Sequence, residues 1–253
     1  MNEDFFNKVT KVVIDKLEGG YFHPDMRTNN PKKFGSYHRS GETMFGLDRW
    51  AGHDLYYSTP RKANTVLEDM KYIYSNAYQY KTPEAKEFWT LIDQANARKN
   101  WKWLYRGGSL EPRLMYLTGK IMYPRYQNLA NKYLTAKSQQ LINSDPRLLF
   151  HFIYALWNGS GWFQRFAKKF NEATEKGITN KNELLKVAIN SRINSGNSLI
   201  AQGGKKINGF INTVDFNQDN KTSTQQNDEP GNLTKLIMIG IGLTIAYYLT
   251  MKK

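Results

Sequence analysis

At three places along this sequence a capping residue followed at once by proline opens an apolar pattern of helical spacing. In "STP", Thr59 can cap and Pro60 fits the first turn. Ala63, Val66, Leu67, Met70, Ile73, Tyr74 and Ala77 recur behind them. "TPEAKEFW" repeats the signal with Thr82 and Pro83, and "DPRLLFHFIYALWNG" repeats it with Asp145 and Pro146. A cap oxygen satisfies an unpaired N–H of the first turn, and proline tolerates the place where its own N–H is not needed. Elsewhere Phe6, Val9, Val13 and Leu17 form one stripe, which predicts a helix from Phe5 to Leu17. "SLEPRLMYLTGKIMYPRYQNLANKYL" reads as a helix bent near Pro124, and "GWFQRFAKKFNEA" and "NKNELLKVAINSRINS" as two more. Only residues 34–50, "FGSYHRSGETMFGLDRW", differ. Glycines, aromatics and Thr in a short span predict a small hairpin. The expected class is mostly α with one small β-hairpin.

The C-terminal part divides the chain. Residues 213–232, "TVDFNQDNKTSTQQNDEPGN", are polar and read as a solvated tether. Behind it, Leu236 to Met251 carries no charge and is closed by Lys235 on one side and Lys252 and Lys253 on the other. At about 1.5 Å per residue the run covers roughly 24 Å, close to a hydrocarbon core of about 30 Å. Leu233, Thr234 and a snorkelling Lys235 extend it, and Tyr247 and Tyr248 suit an interface. The expected organisation is a domain over 1–212, a linker over 213–232 and a single-pass transmembrane anchor over 233–251. A buried helix at the end of the domain is the other reading. "MNEDFFNKVTKVVIDKL" has no apolar h-region, so no cleavable signal is expected there.

Composition removes several function classes. Cysteine is absent, which excludes disulfides, thiolate metal sites and cysteine nucleophiles. No P-loop, dinucleotide fingerprint or H-E-x-x-H occurs, and four His without a spaced cluster give no metal site, so no cofactor is expected. A net charge of +14 predicts attraction to polyanions: nucleic acid, anionic lipid or a charged cell wall. "RFAKKF" and "GGKKING" are basic and near aromatics but complete no DNA-binding motif.

The stretch "DKLEGGYFHPDM" carries the chemistry. Glu18 closes the first helix and Gly19 and Gly20 supply a stop and a close-approach turn. A carboxylate at a helix C-terminus faces the negative end of the dipole, which raises its pKa, as does burial beside Leu17 and Tyr21. A general acid for glycosidic cleavage needs that property. An ordinary Glu at a helix end is the alternative. The second piece is "SGETMFGL". Gly41, Thr43 and Gly46 place a Thr on a hairpin whose glycines leave room for a sugar, or they are simply a strand residue between turns.

Together, "LEGGY" and "SGETMFGL" resemble the phage-type peptidoglycan hydrolases and lytic transglycosylases of the lysozyme superfamily, closest to glycoside hydrolase family 108. Ser40 and Leu47 stand where that family has Gly and Ile, and the segment between the motifs is longer than the family's. The resemblance covers about the first fifty residues. It implies an α+β lysozyme-like domain, Glu18 as catalytic acid and Thr43 at the cleft. Asp25, Glu42 and Asp48 are the candidates for a second acidic role, Asp25 foremost because it lies a short loop after Glu18. Tyr21 and Gly41 would border substrate. "FIYALWNGSGWFQRF" resembles sugar-binding helix junctions of the same enzymes, and makes Tyr154 and Asn158 substrate contacts or, for Asn158, a helix C-cap.

The resulting expectation is a membrane-anchored enzyme acting on peptidoglycan glycan strands, with Glu18 protonating the oxygen between N-acetylmuramic acid and N-acetylglucosamine. No second carboxylate is convincing, which favours the transglycosylase outcome over hydrolysis. The tether and anchor are similar to those of virion-associated lytic enzymes that open the wall at phage entry, which would place the chain in a virion membrane or bacterial inner membrane, beside other virion proteins. Two rivals stand: a catalytically silent wall-binding or virion structural protein, and a membrane-anchored nucleic-acid binder. No specific nucleic-acid partner is expected.

Overall fold

A computed structural model describes residues 2–21, 43–48 and 82–216. They form helices α1 (Glu3–Leu17), α2 (Pro83–Ala97), α3 (Glu111–Tyr133), α4 (Ala136–Asn143), α5 (Pro146–Trp157), α6 (Ser160–Glu175), α7 (Lys181–Ile193) and α8 (Ser198–Phe210). A 3₁₀ turn covers Trp101–Leu104, and strands β1 (Thr43–Met44) and β2 (Leu47–Asp48) pair antiparallel. The contacts divide the chain into two units. Among the described residues, unit 1 holds 2–17 and 122–216, and unit 2 holds 18–21, 43–48 and 82–121.

Cap chemistry accounts for most helix starts. Thr82 accepts from the Ala85 N–H at 3.2 Å, with Pro83 in the first turn of α2. Asp145 accepts from the Arg147 N–H at 2.8 Å ahead of α5. Thr135, Asn180 and Asn197 do the same for α4, α7 and α8. Helix α3 runs without a break through Pro124.

Unit 1 is organised around α5, whose residues from Leu148 to Trp157 are buried apart from Tyr154. A helix apolar on all sides belongs inside a core. Helices α1, α4, α6 and α7 pack against it, and α8 packs on α7. The core is aromatic. Phe152 meets Phe163 and Phe170 edge to face, Phe150 meets Phe210 and Phe216, and Phe6 lies against Tyr123 and Tyr126. Phe216 is buried, so the chain is still packed several residues into the stretch read as a tether. In unit 2, α2 buries Phe88, Trp89 and Ile92, and Leu104, Leu114 and Leu117 are buried with it.

Two expectations are corrected here. The α+β lysozyme-like class does not hold. The described chain is helical, and its β content is two residues paired with two. Phe45 (φ +51°) and Gly46 (φ +73°) both turn in the left-handed region, which closes a two-residue hairpin at once. The single-pass anchor, and the virion or inner-membrane location built on it, is not supported. No helix among the described residues is long and apolar enough to cross a membrane. The longest, α3, carries Glu111, Arg113, Lys120, Arg125 and Lys132. Residues 233–251 lie outside the described residues, as does the helix read after "STP".

Glycine decides one contact in unit 1. A Cβ on Gly204 would lie 2.9 Å from Ile193 Cγ1 and 3.2 Å from Arg192 Cβ, whereas one on Gly209 would meet nothing within 4 Å. Gly204→Ala should therefore lower stability by about 1–3 kcal/mol through overpacking. Gly209→Ala should be neutral or raise it by up to about 1 kcal/mol through helix propensity. Urea unfolding midpoints of the two variants check this, and equal effects would show that the α7–α8 contact is not close-packed.

Candidate functional site

The first motif enters unit 2 at Glu18, directly after α1. Glu18 is 5% exposed. Its backbone carbonyl accepts from Arg106 Nη2 at 3.1 Å. The same guanidinium lies over the Phe45 ring, 5.8 Å from its centre. The Glu-Gly-Gly-Tyr stretch and the Thr43 hairpin, two dozen residues apart in sequence, thus meet on one arginine. Three residues on, the Tyr21 hydroxyl donates to Asn96 Oδ1 at 2.8 Å, and the Trp101 indole N–H donates to the same oxygen at 3.0 Å.

Local sequence fixes Arg106. Gly107 adopts φ +77° and Gly108 sits where a Cβ would fall 2.4 Å from the Lys102 carbonyl and 2.5 Å from that of Trp103. Only glycine fits the second place. Glu111, at the start of α3, accepts from the Gly107 N–H at 2.6 Å and pairs with Arg106 Nη1 at 3.2 Å. By contrast, Gly20 has no such need: a Cβ there would lie 4.0 Å from Arg106 Cγ, an ordinary contact. A close approach of that kind is seen at the Arg-Gly-Gly turn.

The expected site residues fall as follows. Glu18, Tyr21 and Thr43 are in unit 2, Thr43 opposite Asp48 in the hairpin register. Tyr21 is buried and its hydroxyl is held by Asn96, so it anchors the loop rather than offering an open ring. Asp25, Gly41 and Glu42 lie outside the described residues. Tyr154 and Asn158 belong to unit 1, where both face Arg192. Sequence reasoning missed Arg106 and Arg192. The signal for the first is Arg-Gly-Gly with Glu five residues after the Arg. The second sits unannounced on α7.

Arg192 is fully buried. It donates to Asn158 Oδ1 and to the His151 carbonyl, and its guanidinium lies 4.7 Å from the Tyr154 ring centre and 4.6 Å from that of Phe166. Burial pushes it down to about 10, which leaves it charged at neutral pH. Asn158 therefore also serves as the cap residue that solvates this cation, which accounts for its place without a sugar. His151 is buried beside it with neither ring nitrogen hydrogen-bonded. Desolvation, and then the Arg192 charge, hold its pKa well below 6.5. Among the described residues no group of acidic, His or Cys side chains could hold a metal.

Compared with known proteins, the chain matches no family model, no curated protein and no solved structure.

Two outcomes follow from these clusters. Arg106→Ala removes the link between loop and hairpin and should cost about 1.5–3 kcal/mol, the size of a hydrogen bond to a charged group. Denaturant melts check it, and a change within error would show that the two motifs are held by other contacts. His151 stays neutral when folded but accepts a proton near pH 6.5 when unfolded. The unfolded state binds more protons below that point, so this group removes stability as pH falls under about 6.5 and contributes nothing above it. His151→Leu should flatten the slope of urea midpoint against pH between about 4.5 and 6.5.

Proposed function

We propose that the protein is a peptidoglycan glycosidase in which Glu18 is the general acid for cleavage between N-acetylmuramic acid and N-acetylglucosamine. The observation that carries this reading is the convergence of its two resembling motifs on Arg106. The guanidinium holds the Glu18 carbonyl on one side and lies over Phe45 of the Thr43 hairpin on the other. A general acid must be held within hydrogen-bond reach of the bond it protonates, and a backbone pinned beside a rigid turn supplies that positioning. Glu18 would protonate the glycosidic oxygen as an oxocarbenium-like centre develops. Water or the muramyl 6-hydroxyl would then complete the reaction, giving a reducing or a 1,6-anhydro end. The virion setting rested on the membrane anchor and forms no part of the proposal.

One observation favours the rival, a catalytically silent wall-binding or structural protein. Glu18 is only 5% exposed, as an internal polar group would be. The full chain and its Glu18→Gln variant, incubated with isolated peptidoglycan and read by mass spectrometry of soluble products, separate the two. Release by the wild type, reduced about 10²–10⁴-fold in the variant, is the expected outcome. Absence of release from the folded wild type across several wall types would overturn the enzyme and favour the scaffold.

A further inference from the structure

Unit 1 contains a cavity of about 80 Å³ between the C-terminal half of α3 and α4, lined by Tyr126, Gln127, Ala130, Asn131, Gln139 and Asn143. Four of the six are side-chain amides and none is charged. Such a volume holds several waters, each needing about 10–15 Å³. The lining is uneven in its hydrogen-bonding. Gln139 Nε2 donates to the Ala130 and Leu134 carbonyls at 3.3 and 3.2 Å, which directs both its hydrogens to the backbone and leaves its oxygen as an acceptor. Gln127 Nε2 donates to the Tyr123 hydroxyl at 3.0 Å. Asn143 Oδ1 is buried with no hydrogen-bond partner. A buried, unpaired acceptor costs free energy that a donor from a ligand recovers.

With no charged side chain in its wall, the cavity suits a neutral occupant better than an ion. Acceptors beside exposed amides call for a neutral group with an N–H and a C=O. The Ala130 methyl and the Tyr126 ring, which is held between Phe6 and Phe163, add an apolar corner. A methyl, a carbonyl and an N–H on one small group describe an acetamido substituent. We propose that this cavity seats the acetamido group of an N-acetylated sugar, making it a glycan-binding subsite carried by unit 1. The choice of a sugar rests on the glycosidase reading, while the preference for a neutral amide rests on the cavity alone.

The test is a nuclear magnetic resonance titration of the full chain with the trimer of N-acetylglucosamine and with cellotriose, which carries hydroxyls where the first has acetamido groups. The side-chain amide signals of Asn131 and Asn143 should move with the acetylated trimer only. Asn143→Leu keeps the branched shape of the side chain but removes the acceptor, and should weaken that binding about tenfold or more, the equivalent of one lost hydrogen bond. Asn131→Ala, on the exposed rim, should weaken it as well and serves where Asn143→Leu fails to fold by circular dichroism. Equal response to both trisaccharides, no response of the wild type at millimolar concentration, or unchanged affinity in the folded variants would overturn the subsite. The two proposals separate on their readouts, binding of the acetylated trimer for the subsite and release of wall fragments for the enzyme. Binding without release of wall fragments would remove the enzyme and leave the subsite, and release without binding would do the reverse.

Discussion

Unit 1 depends on a guanidinium kept from water. Removing an ion of this kind from solvent costs several kcal/mol. The groups around Arg192 are of the size to offset that cost. Two aromatic faces contribute on the order of 2 kcal/mol each to a desolvated cation, and two hydrogen bonds to a charged donor about 1.5–3 kcal/mol each. The donors reach Asn158 and the His151 carbonyl, and the rings belong to Tyr154 and Phe166. Two helices, α5 and α6, are therefore tied to one side chain on α7, and α5 supplies most of the ties. The same placement keeps His151 neutral, because a second charge beside Arg192 would have neither solvent nor counter-ion among the groups that face it. Helix α8 can lie close to this layer because Gly204 offers no Cβ to Ile193 or to Arg192.

Unit 2 uses an arginine in a different way. Arg106 is partly exposed and paired with Glu111, and its importance is geometric. The Gly107–Gly108 turn aims it, Glu111 holds the turn, and the free end of the guanidinium fixes the Glu18 backbone and covers Phe45. Tyr21 and Trp101 share Asn96 Oδ1 and hold the end of the same loop. A carboxylate next to two glycines would otherwise sample many conformations, since glycine adds backbone freedom. Positioning of this kind is what an acid catalyst requires, and an internal structural glutamate would gain from it equally.

Helix starts were legible because they are local. Thr82–Pro83 and Asp145–Pro146 cap α2 and α5 through hydrogen bonds within three residues, and no tertiary contact is needed to specify them. Helices α4 and α8 were not read from the sequence. Their caps, Thr135 and Asn197, are of the right type, but α4 is short and α8 carries Gly203, Gly204 and Gly209, residues that local propensity counts against a helix. The packing of α8 on α7 overrides that propensity, and Gly204 is there to permit it. The hairpin was legible as a turn. Its described part, 43–48, pairs two residues with two around two successive left-handed residues.

The sequence by itself determined the mostly helical content, the caps of α2 and α5 and the chain positions of Glu18 and the Thr43 turn, because each follows from neighbours within a turn of chain. Only the tertiary structure decided which side chains serve the interior. It assigned Asn158 and Tyr154 to the buried cation and the Tyr21 hydroxyl to Asn96. It also revealed Arg106 as the link between two motifs that sequence spacing alone could not join. The physical reason is range. A capping bond is chosen by residues three apart, whereas the partner of a desolvated charge is chosen by whichever helices come together to exclude water from it.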